Sequence, residues 1–160
     1  MSHAGRAILV TGALCLLSLA ACGLPGKIVA APLAVVHSGP APRLLVTVAP
    51  CANANSPVAV DLVLVKNSKL LKALAQVPVA NWFQQRQEWE LDNPKQLRVL
   101  SWEWTPGQTV DPIALNLDGA SQALVFADYP APGLKGMVID PSHGLNLTLL
   151  ADGYAVSPAP

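Results

Sequence analysis

The stretch SPVAVDLVLVKN, residues 56–67, decides the fold. Val58, Val60, Leu62 and Leu64 recur at every second position, so in an extended chain they share one face, with Asp61 on the opposite side. Upstream, Leu44, Val46 and Val48 share a face of a preceding strand, and the turn-rich PCANANSP, residues 50–57, joins the two. The pair forms either a hairpin or a unit that crosses between sheets.

Downstream of this stretch the period changes. Ser68 can cap a short helix that places Leu70, Leu71, Leu74 and Val77 on one side and Lys69, Lys72 and Gln76 toward water. Pro78 interrupts it. Asn81 to Glu90 predicts a further helical turn or two with Trp82, Phe83 and Trp89 near one face, ended by Asp92, Asn93 and Pro94. Alternation then returns. Leu100, Trp102 and Trp104 share a face, TPGQ turns the chain, and Ile113, Leu115 and Leu117 alternate with polar or small residues. QALVFADY is apolar on both faces, as a central strand is. Further strands fall at residues 136–139, 145–149 and 154–156. Short strands separated by frequent turn signals predict a mainly β protein, a two-sheet antiparallel sandwich with a helical insertion between the second and third strands.

The N-terminus follows another logic. Met1 to Arg6 carries positive charge, Ala7 to Leu19 is almost wholly apolar, and small residues follow, which is the layout of an export signal. A spanning helix needs about 20 apolar residues with few breaks. This run is shorter, carries Thr11, Gly12 and Ser18, and soon meets Gly23, Pro25 and Gly26. Leu19, Ala20, Ala21 and Cys22 resemble the lipobox of bacterial lipoproteins. That resemblance implies a diacylglycerol on the Cys22 thiol, cleavage just before it, and acylation of the new amine. Gly23 stands where an aspartate would retain an enteric lipoprotein in the inner membrane, which implies the periplasmic face of the outer membrane. Each buried methylene contributes about 0.8 kcal/mol, so one chain anchors marginally and three hold firmly.

The expected organisation is therefore a leader over 1–21, an acylated cysteine and tether over 22–42, and a sandwich domain over 43–160. Removing the first 21 of 160 residues leaves 139, enough for one core. Gly23 to Pro42 holds four prolines and three glycines, and a flexible chain of that length spans about 25 Å root-mean-square. With Cys22 acylated, Cys51 has no internal disulfide partner.

Catalytic and metal chemistry find little foothold. Asp140, Ser142 and His143 sit in DPSHG, whose composition favours a turn, and adjacent residues on an extended chain point to opposite faces. The three histidines and the spare cysteine lack ligand spacing, and no glycine-rich phosphate loop occurs. Glu88, Glu90 and Asp92 read as a solvated helix end. With 10 basic and 10 acidic residues the formal net charge is zero, and no basic patch suits nucleic acid. No enzyme activity, metal or cofactor is expected. The four tryptophans are expected mainly in the core.

The order lipobox, tether, LLVTVAP, SPVAVDLVLVKN, an insert containing VANWF, then WTPGQT and LVFADY resembles the outer-membrane lipoprotein family of type VI secretion systems. Ala80, Asn81, Trp82 and Phe83 stand where that family has an alanine-acid-Phe-Phe motif, with Asn for the acid and Trp for the first Phe; Pro57-Val58 and Pro106-Gly107 match directly. The resemblance implies a transthyretin-like sandwich that catalyses nothing. It implies that the protein anchors the membrane complex by binding the periplasmic domain of an inner-membrane secretion component. The loop joining the first two strands, Pro50, Cys51, Ala52, Asn53, Ala54, Asn55, Ser56 and Pro57, is the contact region this resemblance assigns. The competing reading is a periplasmic lipoprotein that binds a small ligand or envelope glycan on a tryptophan platform.

Overall fold

The computed structural model describes residues 40–159. The expected leader, Cys22 and the tether up to residue 39 lie outside the described residues. The order of elements is β1 (Arg43–Val48), a single turn at Ala52–Asn55, β2 (Val58–Val65), α1 (Ser68–Leu74), α2 (Val79–Asp92), β3 (Leu97–Trp104), β4 (Ile113–Ala114), β5 (Gln122–Ala127), β6 (Met137–Ile139), β7 (Leu145–Leu149) and β8 (Tyr154–Pro158).

Two four-stranded sheets form, in the orders β4-β1-β7-β8 and β3-β2-β5-β6. β1 and β2 therefore belong to different sheets, and the loop between them crosses the sandwich. β2 pairs with β3 along its whole length, Val58 opposite Trp104 through Val65 opposite Leu97, and with β5 on its other side. The expected antiparallel arrangement holds everywhere except between β1 and β7, which run parallel from Leu44–Leu145 to Val48–Leu149. After β1 the chain builds the second sheet, leaving it only for the short β4 beside β1, then re-enters the first sheet from the end at which β1 began.

The even-numbered face of β2 does what its periodicity predicts. Val58, Val60, Leu62 and Leu64 are buried between the sheets with Leu44, Leu145, Leu147, Leu149 and Val125. The odd face is a second core rather than a wetted surface. Val63, Val65, Leu124 and Phe126 pack beneath Leu71 and Leu74 of α1 and Val79 and Trp82 of α2. The molecule thus has three layers, sheet, sheet and helices. Asp61, on the covered face, is 1% exposed.

Three local readings change. Asn67, not Ser68, caps α1: its backbone is extended, and its Oδ1 accepts from the amides of Lys69 and Leu70 at 2.8 and 3.0 Å. α2 is longer than the expected Asn81 to Glu90, running 14 residues. It starts directly after Pro78, and the Val79 amide donates to the Leu134 carbonyl at 2.8 Å. That partner lies far along the chain and satisfies an otherwise orphaned first-turn donor. The strand expected through Leu117 closes after Ala114. The Leu115 amide still bonds Pro42, but Asp118 turns left-handed at φ 48° with its amide on Asn116 Oδ1.

Candidate functional site

The crossing loop, residues 50–57, sits at one end of the sandwich and is tightly held there. Asn53, Ala54 and Asn55 are consecutively left-handed, with φ of 47°, 50° and 67°. This conformation costs an L-residue about 1–2 kcal/mol, and asparagine tolerates it better than alanine. The surrounding structure imposes it. The amides of Asn53 and Ala54 donate to the carbonyls of Leu150 and Ala151 at 3.0 and 3.1 Å, in the turn between β7 and β8. Asn53 Nδ2 donates to the Pro57 carbonyl at 2.9 Å, and the Ser56 amide returns to Asn53.

Two neighbouring turns complete the anchorage. The Gly107 amide, in the Pro-Gly turn after β3, donates to the Ala49 carbonyl at 3.1 Å. Gly107 has φ +72°, and a Cβ there would lie 3.7 Å from the Pro50 backbone. From the turn after β5, Tyr129 Oη donates to the Leu150 carbonyl at 2.9 Å. One carbonyl thus accepts from both the loop and the tyrosine, using both of its lone pairs. Burial pushes the Tyr129 phenol above its ordinary value, so it remains a donor at neutral pH.

Of the residues assigned to contact, Cys51, Ala54, Asn55, Ser56 and Pro57 are exposed, as is Pro50, and Asn53 is half-buried. Ala52 is different: it is fully buried in the inter-sheet core and cannot present its side chain. Its small size lets the loop fold back onto the sandwich end. Leu150, 42% exposed, adds an apolar contact beside the loop. Sequence reasoning overlooked Leu150 and Tyr129 as parts of this site. The alternating LNLTLL pattern and the terminal tyrosine of FADY were the available signals, yet neither says which loop a turn will touch.

The other candidates resolve as structure. Asp140 Oδ1 accepts from the Ser142 amide at 2.9 Å and the Gly144 amide donates to Pro141, so DPSHG is a turn. The Ser142 contacts and neighbouring His143 hold the Asp140 carboxyl below its ordinary value. Among the described residues no group of three His, Cys, Asp or Glu side chains could hold a metal ion. Trp82 and Trp104 are buried, Trp89 and Trp102 half-buried. Trp82 stacks on Phe126 with centroids 4.6 Å apart, and Trp102 on Trp104 at 5.6 Å. The four tryptophans do not assemble into one exposed platform.

Two sheets, a loop that crosses between them and a helical pair sealing one outer face define a β-sandwich domain with an added helical layer. This is the fold of the type VI secretion lipoproteins. The type VI secretion lipoprotein TssJ1 from Pseudomonas aeruginosa superposes with a TM-score of 0.58 at 20% identity, over 76% of this chain and 98% of that one. The Serratia marcescens protein Lip, a membrane-bound component of the type VI secretion system, gives 0.54 at 15% identity, over 74% and 96%. A chain of a type VI membrane complex gives 0.55 at 14% identity, over 73% and 97%. No family model matches the sequence, and no curated protein matches it.

Proposed function

We propose that this chain is an outer-membrane lipoprotein of a type VI secretion membrane complex, acylated at Cys22, whose crossing loop docks the periplasmic part of the inner-membrane core component. The observation that carries the reading is a polarity within the domain. The chain enters at Pro42 and Arg43, beside Gly144 and Ala159, whereas residues 50–57 lie past the far end of β1 and β7. A five-residue strand separates the two ends by about 16 Å. An anchor upstream of Arg43 therefore attaches at the end of the domain opposite the pinned loop, which leaves the loop free for a partner reaching across the periplasm.

The loop suits such a role chemically. Its exposed side chains are small or neutral and stand beside exposed Leu150, while its backbone is already ordered, so docking loses little conformational freedom. The fold shared with the type VI lipoproteins supports the same reading. A glycan-binding role draws on no comparable feature.

Co-purification from cells tests both halves. Cys22→Ser is expected to leave the domain folded and remove it from the membrane pellet. Cys51→Arg and Ser56→Arg, both at positions with ordinary negative φ, are expected to stay acylated and membrane-bound while losing the inner-membrane partner. Normal pelleting of the Cys22→Ser protein overturns the anchor, and undiminished partner recovery with the arginine variants overturns the loop.

A further inference from the structure

At the chain-entry end, opposite the crossing loop, a surface cavity of about 490 Å3 is lined by Pro40, Pro42, Arg43, Leu45, Ser142 and His143 among others. That volume falls within the roughly 300–1,000 Å3 of small-ligand sites. Its walls are of two kinds. Prolines and Leu45 make an apolar side, while Arg43 and His143 supply cationic and hydrogen-bonding groups.

Arg43 takes part in neither ion pair found among the described residues, Lys66 with Asp118 or Arg86 with Asp61. The carboxylate of Asp140, near the cavity, is engaged by the Ser142 amide and lies close to His143. Arg43 and Asp140 balance in formal charge, and the exposed His143 adds an imidazole able to hydrogen-bond an anion. That balance suits a monoanionic phosphodiester better than a dianionic phosphate. The apolar wall suits a ligand in which the phosphodiester continues into glycerol and acyl chain.

We propose that this cavity takes the phosphodiester headgroup of an anionic phospholipid, with Arg43 and His143 as its anion contacts, and so turns the entry end of the domain toward the bilayer. The proposal rests on the acyl-anchor reading: an anchor about 20 residues upstream holds the cavity within a few tens of ångströms of the lipid surface. At such effective concentrations a weak site is enough.

The test uses the full chain purified in a nonionic detergent. It is titrated with short-chain phosphatidylglycerol and, in parallel, with short-chain phosphatidylcholine and inorganic phosphate. The His143 imidazole signal, assigned by its loss in His143→Gln, is the readout. A saturable shift is expected with phosphatidylglycerol only, weakened roughly tenfold or more in Arg43→Gln, since a charge-assisted hydrogen bond is removed. No saturable shift overturns the proposal. So does an Arg43→Gln affinity within about twofold of the parent, or saturation by inorganic phosphate or phosphatidylcholine at matching concentration. The intact mass of the same sample reports acylation separately: an unacylated chain that titrates removes the anchor and keeps the headgroup site, and an acylated chain that does not titrate does the reverse.

Discussion

The indole Nε1 of Trp82 donates a 2.8 Å hydrogen bond to the buried carboxylate of Asp61, and this contact ties the helical layer to the strand beneath it. Arg86 closes the arrangement, its Nη1 lying 3.2 Å from both carboxylate oxygens. Asp61 stands among apolar neighbours on the covered face of β2, where an unpartnered charge would cost several kcal/mol. The bonds from α2 make its burial tolerable, and they fix which turn of the helix lies over which strand residue.

Trp82→Phe preserves an aromatic ring against Phe126 but strips the donor from Asp61. A loss of about 1–3 kcal/mol is expected, the penalty for orphaning a buried acceptor. Adding Asp61→Leu to Trp82→Phe should restore most of it, because apolar groups of similar shape replace both partners and Arg86 remains solvated at 43% side-chain exposure. Urea unfolding midpoints of the two single variants and the double variant check this. A double variant no more stable than Trp82→Phe alone would show that the hydrogen bond is not what the phenylalanine removes.

Asp61 also marks where the sequence stops being readable. Alternation along residues 58–64 correctly orients Val58, Val60, Leu62 and Leu64 because a strand's two faces follow from backbone geometry alone. Which face meets water depends on what folds over it: Val63 and Val65 make the odd face apolar, but nothing beside Asp61 says that α2 is what covers it. The β7 and β8 stretches show their periods clearly, yet the parallel match of β1 with β7 joins residues about a hundred positions apart. Nothing local encodes that match. At the candidate site, turn composition placed a loop at residues 50–57, and only the family resemblance assigned that loop to contact. The buried position of Ala52 and the shared Leu150 carbonyl depend on turns brought together only by the finished sandwich.

Gly144 is a position where glycine is required twice over. Its φ is +87°, and a Cβ would lie 2.7 Å from the Arg43 carbonyl oxygen and 3.1 Å from the Arg43 nitrogen. Backbone atoms of a paired strand cannot swing aside as a side chain can. Gly144→Ala is expected to cost about 2 kcal/mol or more, combining left-handed strain with displacement of β1. Gly153→Ala, where nothing lies within 4 Å and φ is ordinary, should change stability by no more than about 0.5 kcal/mol. Thermal unfolding of the pair distinguishes the positional demand from a general intolerance of alanine.

Ala54 makes the opposite prediction. It holds φ at 50° without an asparagine's capacity to stabilise that conformation, and its side chain is exposed. Glycine there relieves about 1–2 kcal/mol of left-handed strain and adds about 0.5–1 kcal/mol of unfolded-state entropy. Ala54→Gly should therefore stabilise the domain by up to about 1.5 kcal/mol, read as a higher denaturant midpoint. Asn53→Ala should do the reverse, since it loses the bond to the Pro57 carbonyl as well as the tolerant residue. A destabilised Ala54→Gly protein would mean that the methyl group, not the backbone, is what the loop needs.

Tyr154 links the two sheets at their β6 and β8 edges, donating from β8 to the Val125 carbonyl of β5 at 2.8 Å with the Lys135 carbonyl 3.3 Å away. Burial pushes its phenol from 10.0 up to about 12. The folded protein thus keeps a proton that the unfolded chain has released, so the unfolded state binds fewer protons and stability falls with rising pH. This contribution is complete below about pH 10 and is lost as the pH climbs through 12. Its size is at most on the order of 2 kcal/mol for a partly solvated group. Tyr154→Phe should be less stable at neutral pH yet show a flatter decline between pH 10 and 12, with some slope left from Tyr129, whose phenol is also raised. Denaturant midpoints across that range, alongside phenolate absorbance of the folded protein, measure both effects. An unchanged slope in the phenylalanine variant would place the alkaline transition elsewhere in the molecule.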